Sequence, residues 1–219
     1  MTIEQIKKWN ERHAKLMFGL SILAVITKRI ELLSLGALLS FSSYVHQGSN
    51  ELKKMSPAGG YANLTTGLRL LLVVIGSFLF TYVSKEWILA IMTTAVLLDI
   101  VDGYLAKKFN QVTTFGQFFD MEVDAFFVIL MCFYYYQYQE VGWWILVPGI
   151  MRYAFKLFTV LVSKEGFVES KKRYAAMIAG IFFTILLACI LVDIPYALLM
   201  GSVAIVLSFS VSIIEYLKY

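Results

Sequence analysis

Thiols and imidazoles are scarce in this 219-residue chain, which has two cysteines and two histidines. Cys132 and Cys189 both lie in apolar runs and imply no disulfide framework; they read as small residues facing lipid or core. His13 and His46 fall outside the part of the chain where other chemistry gathers and are given no catalytic role. Internal repeats and low-complexity segments are missing. No cleavable leader is expected either: the opening MTIEQIKKWNERHAK is polar, and no small-residue cleavage site follows the first apolar run. Apolar residues instead make up 59% of the chain, above the share of a soluble globule, which implies an integral membrane protein. The length suits one domain, or one with a small extension.

Six apolar runs follow residue 63, at 64–83, 86–107, 114–135, 141–163, 173–193 and 195–216. Each is near the ~20 residues a helix needs to cross a bilayer. Short connections and scattered Gly and Ser predict an all-α fold, a six-transmembrane-helix bundle over residues 59–219. Basic residues stand before the first run, after the second (Lys107, Lys108), after the fourth (Lys164, Lys171, Lys172, Arg173) and at Lys218. By the positive-inside rule both ends of this core face the cytoplasm. Residues 1–58 hold two shorter apolar stretches, 16–27 and 32–45, parted by Lys28, Arg29 and Glu31. They predict an interfacial or re-entrant helical extension, joined to the core by the polar linker HQGSNELKKMSPAGG. Tyr134–Tyr135–Tyr136 and Trp143–Trp144 suggest an aromatic belt on the outer side.

The chemistry concentrates in DIVDGYLAKKFNQVTTFGQFFDMEVD, residues 99–124. Asp99 and Asp102 are three apart, and Asp120 and Asp124 four apart, so each pair shares a helix face. Gly103 and Ala106 follow the first pair and Gly116 precedes the second, which lets a backbone or ligand come close. Four carboxylates at one membrane locus need cations. Oxygen ligands with no Cys or His nearby favour Mg²⁺, Mn²⁺ or Ca²⁺ over zinc. Because Mg²⁺ commonly completes its shell with substrate phosphates, a diphosphate substrate follows.

This stretch resembles the signature of the CDP-alcohol phosphotransferase (CDP-alcohol phosphatidyltransferase) family, D-x2-D-G-x2-A-R-x8-G-x3-D-x3-D. Asp99, Asp102, Gly103, Ala106, Gly116, Asp120 and Asp124 fall in register, and Lys107 stands where the family usually has Arg. Upstream, Asn63, Thr65 and Arg69 in ANLTTGLRL resemble the N-x-x-T-x-x-R start of the first core helix, with the Thr displaced. The resemblance covers 64–216 and implies transfer of a substituted phosphate from CDP-diacylglycerol to an alcohol, with release of CMP.

It further implies two metal ions, Mg²⁺ or Mn²⁺, held by Asp99, Asp102, Asp120 and Asp124, with Asp124 as general base. Asn63, Thr65, Arg69, Asp102, Gly103, Ala106, Lys107 and Gly116 would bind the nucleotide. Arg152 and Lys156 lie inside the fourth run, where a cation needs a partner: the aspartates, an anionic acceptor or a structural counter-ion. Arg152, Lys172 and Arg173 are the candidate acceptor-binding residues. Glu122 points off the aspartate stripe and suits a basic partner. Glycerol 3-phosphate, giving an activity like that of bacterial phosphatidylglycerophosphate synthases, is the default acceptor; inositol phosphate, serine and choline stay open. The resemblance also implies a homodimer in the bacterial inner membrane, and no nucleic-acid partner. An intramembrane prenyltransferase would carry its aspartates in two separated motifs. A divalent-cation transporter would place acidic residues near mid-membrane with access to both faces.

Overall fold

A computed structural model describes residues 1–57, 59–162, 173–192 and 194–218. Among these the chain is helical throughout: α1 (Ile3–Thr27), α2 (Glu31–Leu52), α3 (Tyr61–Leu79), α4 (Lys85–Lys108), α5 (Thr114–Tyr138), a 3-10 turn (Trp143–Ile145), α6 (Leu146–Val162), α7 (Arg173–Ala188) and α8 (Pro195–Lys218). The six runs read from the sequence correspond to α3–α8. Four segments are long and apolar enough to cross a membrane: α3, α4, Trp143–Val162 and α8. α5 is as long but carries three carboxylates and a tyrosine-rich end, and α7 spans 16 residues. The fold is that of an all-α membrane protein.

α5 is the central helix. From Ala125 to Tyr135 every residue but Val128 is buried, because neighbours cover all its faces. Between lipid-immersed helices the hydrophobic effect drives little, so side-chain packing and interhelical hydrogen bonds hold the bundle. Tyr135 donates to the Leu186 carbonyl on α7, and Tyr216 on α8 donates to the Thr159 carbonyl on α6. Tyr134 and Tyr135 are thus interior residues rather than an outer belt, while Trp143 is exposed. Both cysteines are buried.

α1 and α2 are longer than the apolar stretches inside them. The polar opening folds into α1 because Thr2 and Gln5 form a capping box. The linker's first part, through Leu52, continues α2. Both helices lie directly on the core: α1 against α6 and α5, α2 against α3 and α5. Ser34 of α2 and Ser77 of α3 share a buried 2.6 Å hydrogen bond.

Candidate functional site

Three helix ends meet at the site: the start of α3, the end of α4 and the start of α5. Thr113 caps α5, its hydroxyl accepting from the Gly116 amide at 3.0 Å. At 1.5 Å rise per residue, Asp120 lies about 9 Å into α5 and Asp99 about 14 Å back from the end of α4. The carboxylates therefore sit within the bundle but close to one of its ends.

All four aspartates converge on one guanidinium. Arg69 of α3, only 2% exposed, donates to Asp99 at 2.5 Å and to Asp120 at 3.0 Å, and also to Asp124. Asp102 lies 3.6 Å from the same group and accepts a 2.8 Å hydrogen bond from the Thr66 hydroxyl. Among the described residues one Arg faces four carboxylates, and carboxylates gathered in a membrane call for positive charge.

The donor set fits a divalent cation. Asp99, Asp120 and Asp124 each offer a carboxylate oxygen, and these oxygens lie within 4.8 Å of one another. Hard oxygen donors at that spacing suit Mg²⁺ or Mn²⁺.

Beside the cluster opens a cavity of about 430 Å³. Asn63, Thr66, Asp102, Gly103, Ala106, Lys107, Gly116 and Asp120 contribute to its wall. Gly103 and Gly116 play different parts there. A Cβ on Gly103 would meet nothing within 4 Å, so the space beside it is open. A Cβ on Gly116 would stand 2.7 Å from Asn63 Oδ1, so this glycine lets α5 approach α3. Gly116→Ala is accordingly expected to cost about 1–3 kcal/mol of stability, measurable as a lower thermal midpoint in detergent.

Several residues lie elsewhere than the sequence suggested. Thr65 is not in the cavity; its hydroxyl donates to the Tyr61 carbonyl on a more open face, and Thr66 takes its place. The reason is helical register. Thr65 stands about 200° around the axis from Asn63, whereas Asn63, Thr66 and Arg69 recur every third residue along one face. The spacing Asn63–Thr66–Arg69 was the signal for this. Arg69 does not line the cavity and spends its donors on the aspartates.

Arg152 is not among the residues that line the cavity, though its guanidinium touches Met121, which does. Buried on α6, it pairs with Glu122 of α5 at 2.6 Å, with a second bond from Nε at 3.2 Å. That contact uses the face of α5 opposite the aspartates and gives Arg152 a structural counter-ion, one of the partners expected for it. Lys172 lies outside the described residues, as does the side chain of Arg173. Asn10 is a residue that sequence reading missed: from α1 its side-chain amide donates to Glu122 at 2.8 Å.

Parts of the chain are similar in sequence to named proteins. A protein from Wigglesworthia glossinidia brevipalpis named CDP-diacylglycerol–glycerol-3-phosphate 3-phosphatidyltransferase is 30% identical over 88 residues, 40% of this chain and 43% of its own length. A protein of the same name from Cereibacter sphaeroides is 26% identical over 116 residues, 51% of this chain and 48% of its own. Another, from Escherichia coli, is 28% identical over 125 residues, 54% of this chain and 68% of its own. The matched region thus spans less than half the length of the first two relatives. The family model for CDP-alcohol phosphatidyltransferase matches residues 60–214, most of the chain and all of the site, and the chain belongs to that family.

Proposed function

We propose that the protein transfers a phosphatidyl group from CDP-diacylglycerol to glycerol 3-phosphate and releases CMP, a step of phospholipid synthesis. The observation that carries this reading is the convergence of Asp99, Asp102, Asp120 and Asp124 beside an open, partly polar cavity. The relatives' names supply the donor and the acceptor.

Asp99, Asp120 and Asp124 would hold a divalent cation, with Asp102 beside them completing a set able to hold two. When bound, the cations neutralise the donor's diphosphate and the charge that develops on departing CMP. The chain's own groups do the rest. Asp124 accepts the proton from the acceptor hydroxyl. The hydroxyl oxygen bonds to the phosphorus that carries diacylglycerol, while the bond from that phosphorus to the CMP oxygen breaks. An ordinary carboxylate is a weak base, so holding the hydroxyl in line contributes more than proton affinity does. Thr66 fixes the Asp102 carboxylate through its hydrogen bond. Lys107, on the cavity wall, supplies a point charge to the nucleotide phosphates where the family's Arg would supply a planar fork. Asn63, Gly103 and Ala106 shape the space for the nucleotide.

The basic residues beside the site support an orientation toward the cytoplasm in a bacterial inner membrane, where soluble acceptor and metal would arrive. Residues 59–219 form the transferase core, as a homodimer. Residues 1–58 form the extension.

An acceptor panel tests the reading. With CDP-diacylglycerol and Mg²⁺ in nanodiscs, glycerol 3-phosphate is expected to raise CMP release well above inositol phosphate, serine or choline. Preference for one of the others would keep the chemistry and replace the acceptor. Gly103→Leu separates cavity from fold: it should retain the wild-type thermal midpoint within a few degrees yet weaken CMP binding at least tenfold. Equal CMP affinity in Gly103→Leu would move the nucleotide out of this cavity.

A further inference from the structure

α1 and α2 precede the region matched by the family model, yet they grip the helix that carries Asp120 and Asp124. From α1, Asn10 reaches Glu122, which lies between those two aspartates in sequence and on the other side of α5. From α2, Tyr44 donates to the Phe115 carbonyl at 2.9 Å and stacks on the Phe115 ring, with centroids 4.3 Å apart. Trp9, His13 and Phe41 continue the contact: Trp9 stacks on His13 at 4.8 Å, and Phe41 packs against Phe119 at 5.7 Å. α5 is thus held from behind along the two turns that present its carboxylates.

The chemistry of this contact is poor for stability alone. Asn10, His13, Glu122 and Arg152 are all buried in it. Asn10 Oδ1, His13 Nε2 and Tyr153 Oη are enclosed without a hydrogen-bond partner. Apolar side chains of the same volume would join the helices without that desolvation cost. What a hydrogen bond to Glu122 adds is a fixed rotation and depth for α5, which a smooth apolar contact would leave loose.

We infer that the N-terminal extension is a positioning element of the reaction centre: Asn10, through Glu122, and Tyr44, through the Phe115 carbonyl, set the placement of Asp120 and Asp124. The inference rests on the cation-binding reading of the aspartates. Groups hydrogen-bonded directly to a metal ligand are worth roughly 10–100-fold in metal affinity or activity when removed; Asn10 and Tyr44 act one step further out, through α5, so the lower end of that range is expected.

The test is Mn²⁺ affinity, read by electron paramagnetic resonance on full-length protein in nanodiscs, together with kcat and KM. Asn10→Leu keeps the volume and removes the donor to Glu122. It should weaken Mn²⁺ binding roughly tenfold and lower kcat by a similar factor, with little change in KM for CDP-diacylglycerol. Asn10→Ser, which keeps a donor, should recover part of both. Tyr44→Phe removes a single hydroxyl and keeps the ring stack, so it folds even if Asn10→Leu does not; it should shift Mn²⁺ affinity in the same direction. Lys8→Ala, which deletes only an exposed pair with Glu4, should match wild type. Mn²⁺ affinity and kcat within twofold of wild type in folded Asn10→Leu or in Tyr44→Phe would overturn the inference. Failure of wild type itself to bind Mn²⁺ would instead sink the cation reading beneath it.

Discussion

Asp124→Asn is expected to lower acceptor-dependent CMP release by about 10³-fold while leaving the protein folded and able to bind CMP. Removing a positioned base costs on the order of 10²–10⁴-fold, and Asp124 is also one of three carboxylates whose oxygens lie within 4.8 Å of one another. Both losses fall on the rate. The substitution is isosteric, and Arg69 keeps Asp99, Asp102 and Asp120 as counter-ions, so stability should change little. Steady-state kinetics on Asp124→Asn beside Asp124→Glu would show the split: near-total loss of kcat in the first and a smaller loss in the second, whose carboxylate is displaced by one methylene. An Asp124→Asn protein that turns over within tenfold of wild type would remove Asp124 from the chemistry.

The second large effect concerns Arg69. Its guanidinium, 2% exposed, is a shared counter-ion to four carboxylates. Arg69→Gln removes that shared counter-ion from all four. Deleting one partner of a buried ion pair typically costs roughly 3–5 kcal/mol. For a chain of this size that corresponds to a fall of roughly 10 °C in thermal midpoint. The loss should be conditional. In EDTA the variant should be much less stable than wild type, and millimolar Mg²⁺ should recover more stability in the variant than in wild type. The cation then supplies charge that Arg69 no longer does. Thermal unfolding by intrinsic fluorescence, with and without Mg²⁺, checks both parts. Equal midpoints for the two proteins in EDTA would mean that Arg69 does not hold the cluster together.

These contacts also show what a sequence can reveal here. The register of Asp99, Asp102, Gly103, Ala106, Gly116, Asp120 and Asp124 is a local property of two helices. Periodicities of three and four residues expose it without any tertiary knowledge. Helix positions followed just as readily, since apolar runs of bilayer length have little alternative to being helices. The role of Arg69 was hidden because its partners lie 30 to 55 residues away on two other helices. Thr66 was legible in principle, and only the choice between adjacent threonines went astray.

The extension was the least transparent part. Its first 15 residues, MTIEQIKKWNERHAK, read as polar. Yet Ile6, Asn10, His13, Met17, Ser21 and Ala24 recur every three or four residues and are all buried. Asn10 and His13 broke the apolar stripe that would have announced it. Tyr134 and Tyr135 misled in the same way. Tyrosine near a helix end suits a membrane interface, but on a helix surrounded by others it suits the interior, provided the hydroxyl finds a carbonyl, as Tyr135 does.

The central claim is that the aspartate cluster is a divalent-cation-dependent centre for phosphatidyl transfer. The most direct measurement is mass analysis of the lipid formed when wild-type protein in nanodiscs meets CDP-diacylglycerol, glycerol 3-phosphate and Mg²⁺. The account predicts phosphatidylglycerophosphate and CMP in equal amounts, and neither when EDTA replaces Mg²⁺. Intact CDP-diacylglycerol in the presence of metal and acceptor, or a product yield indifferent to EDTA, would contradict it.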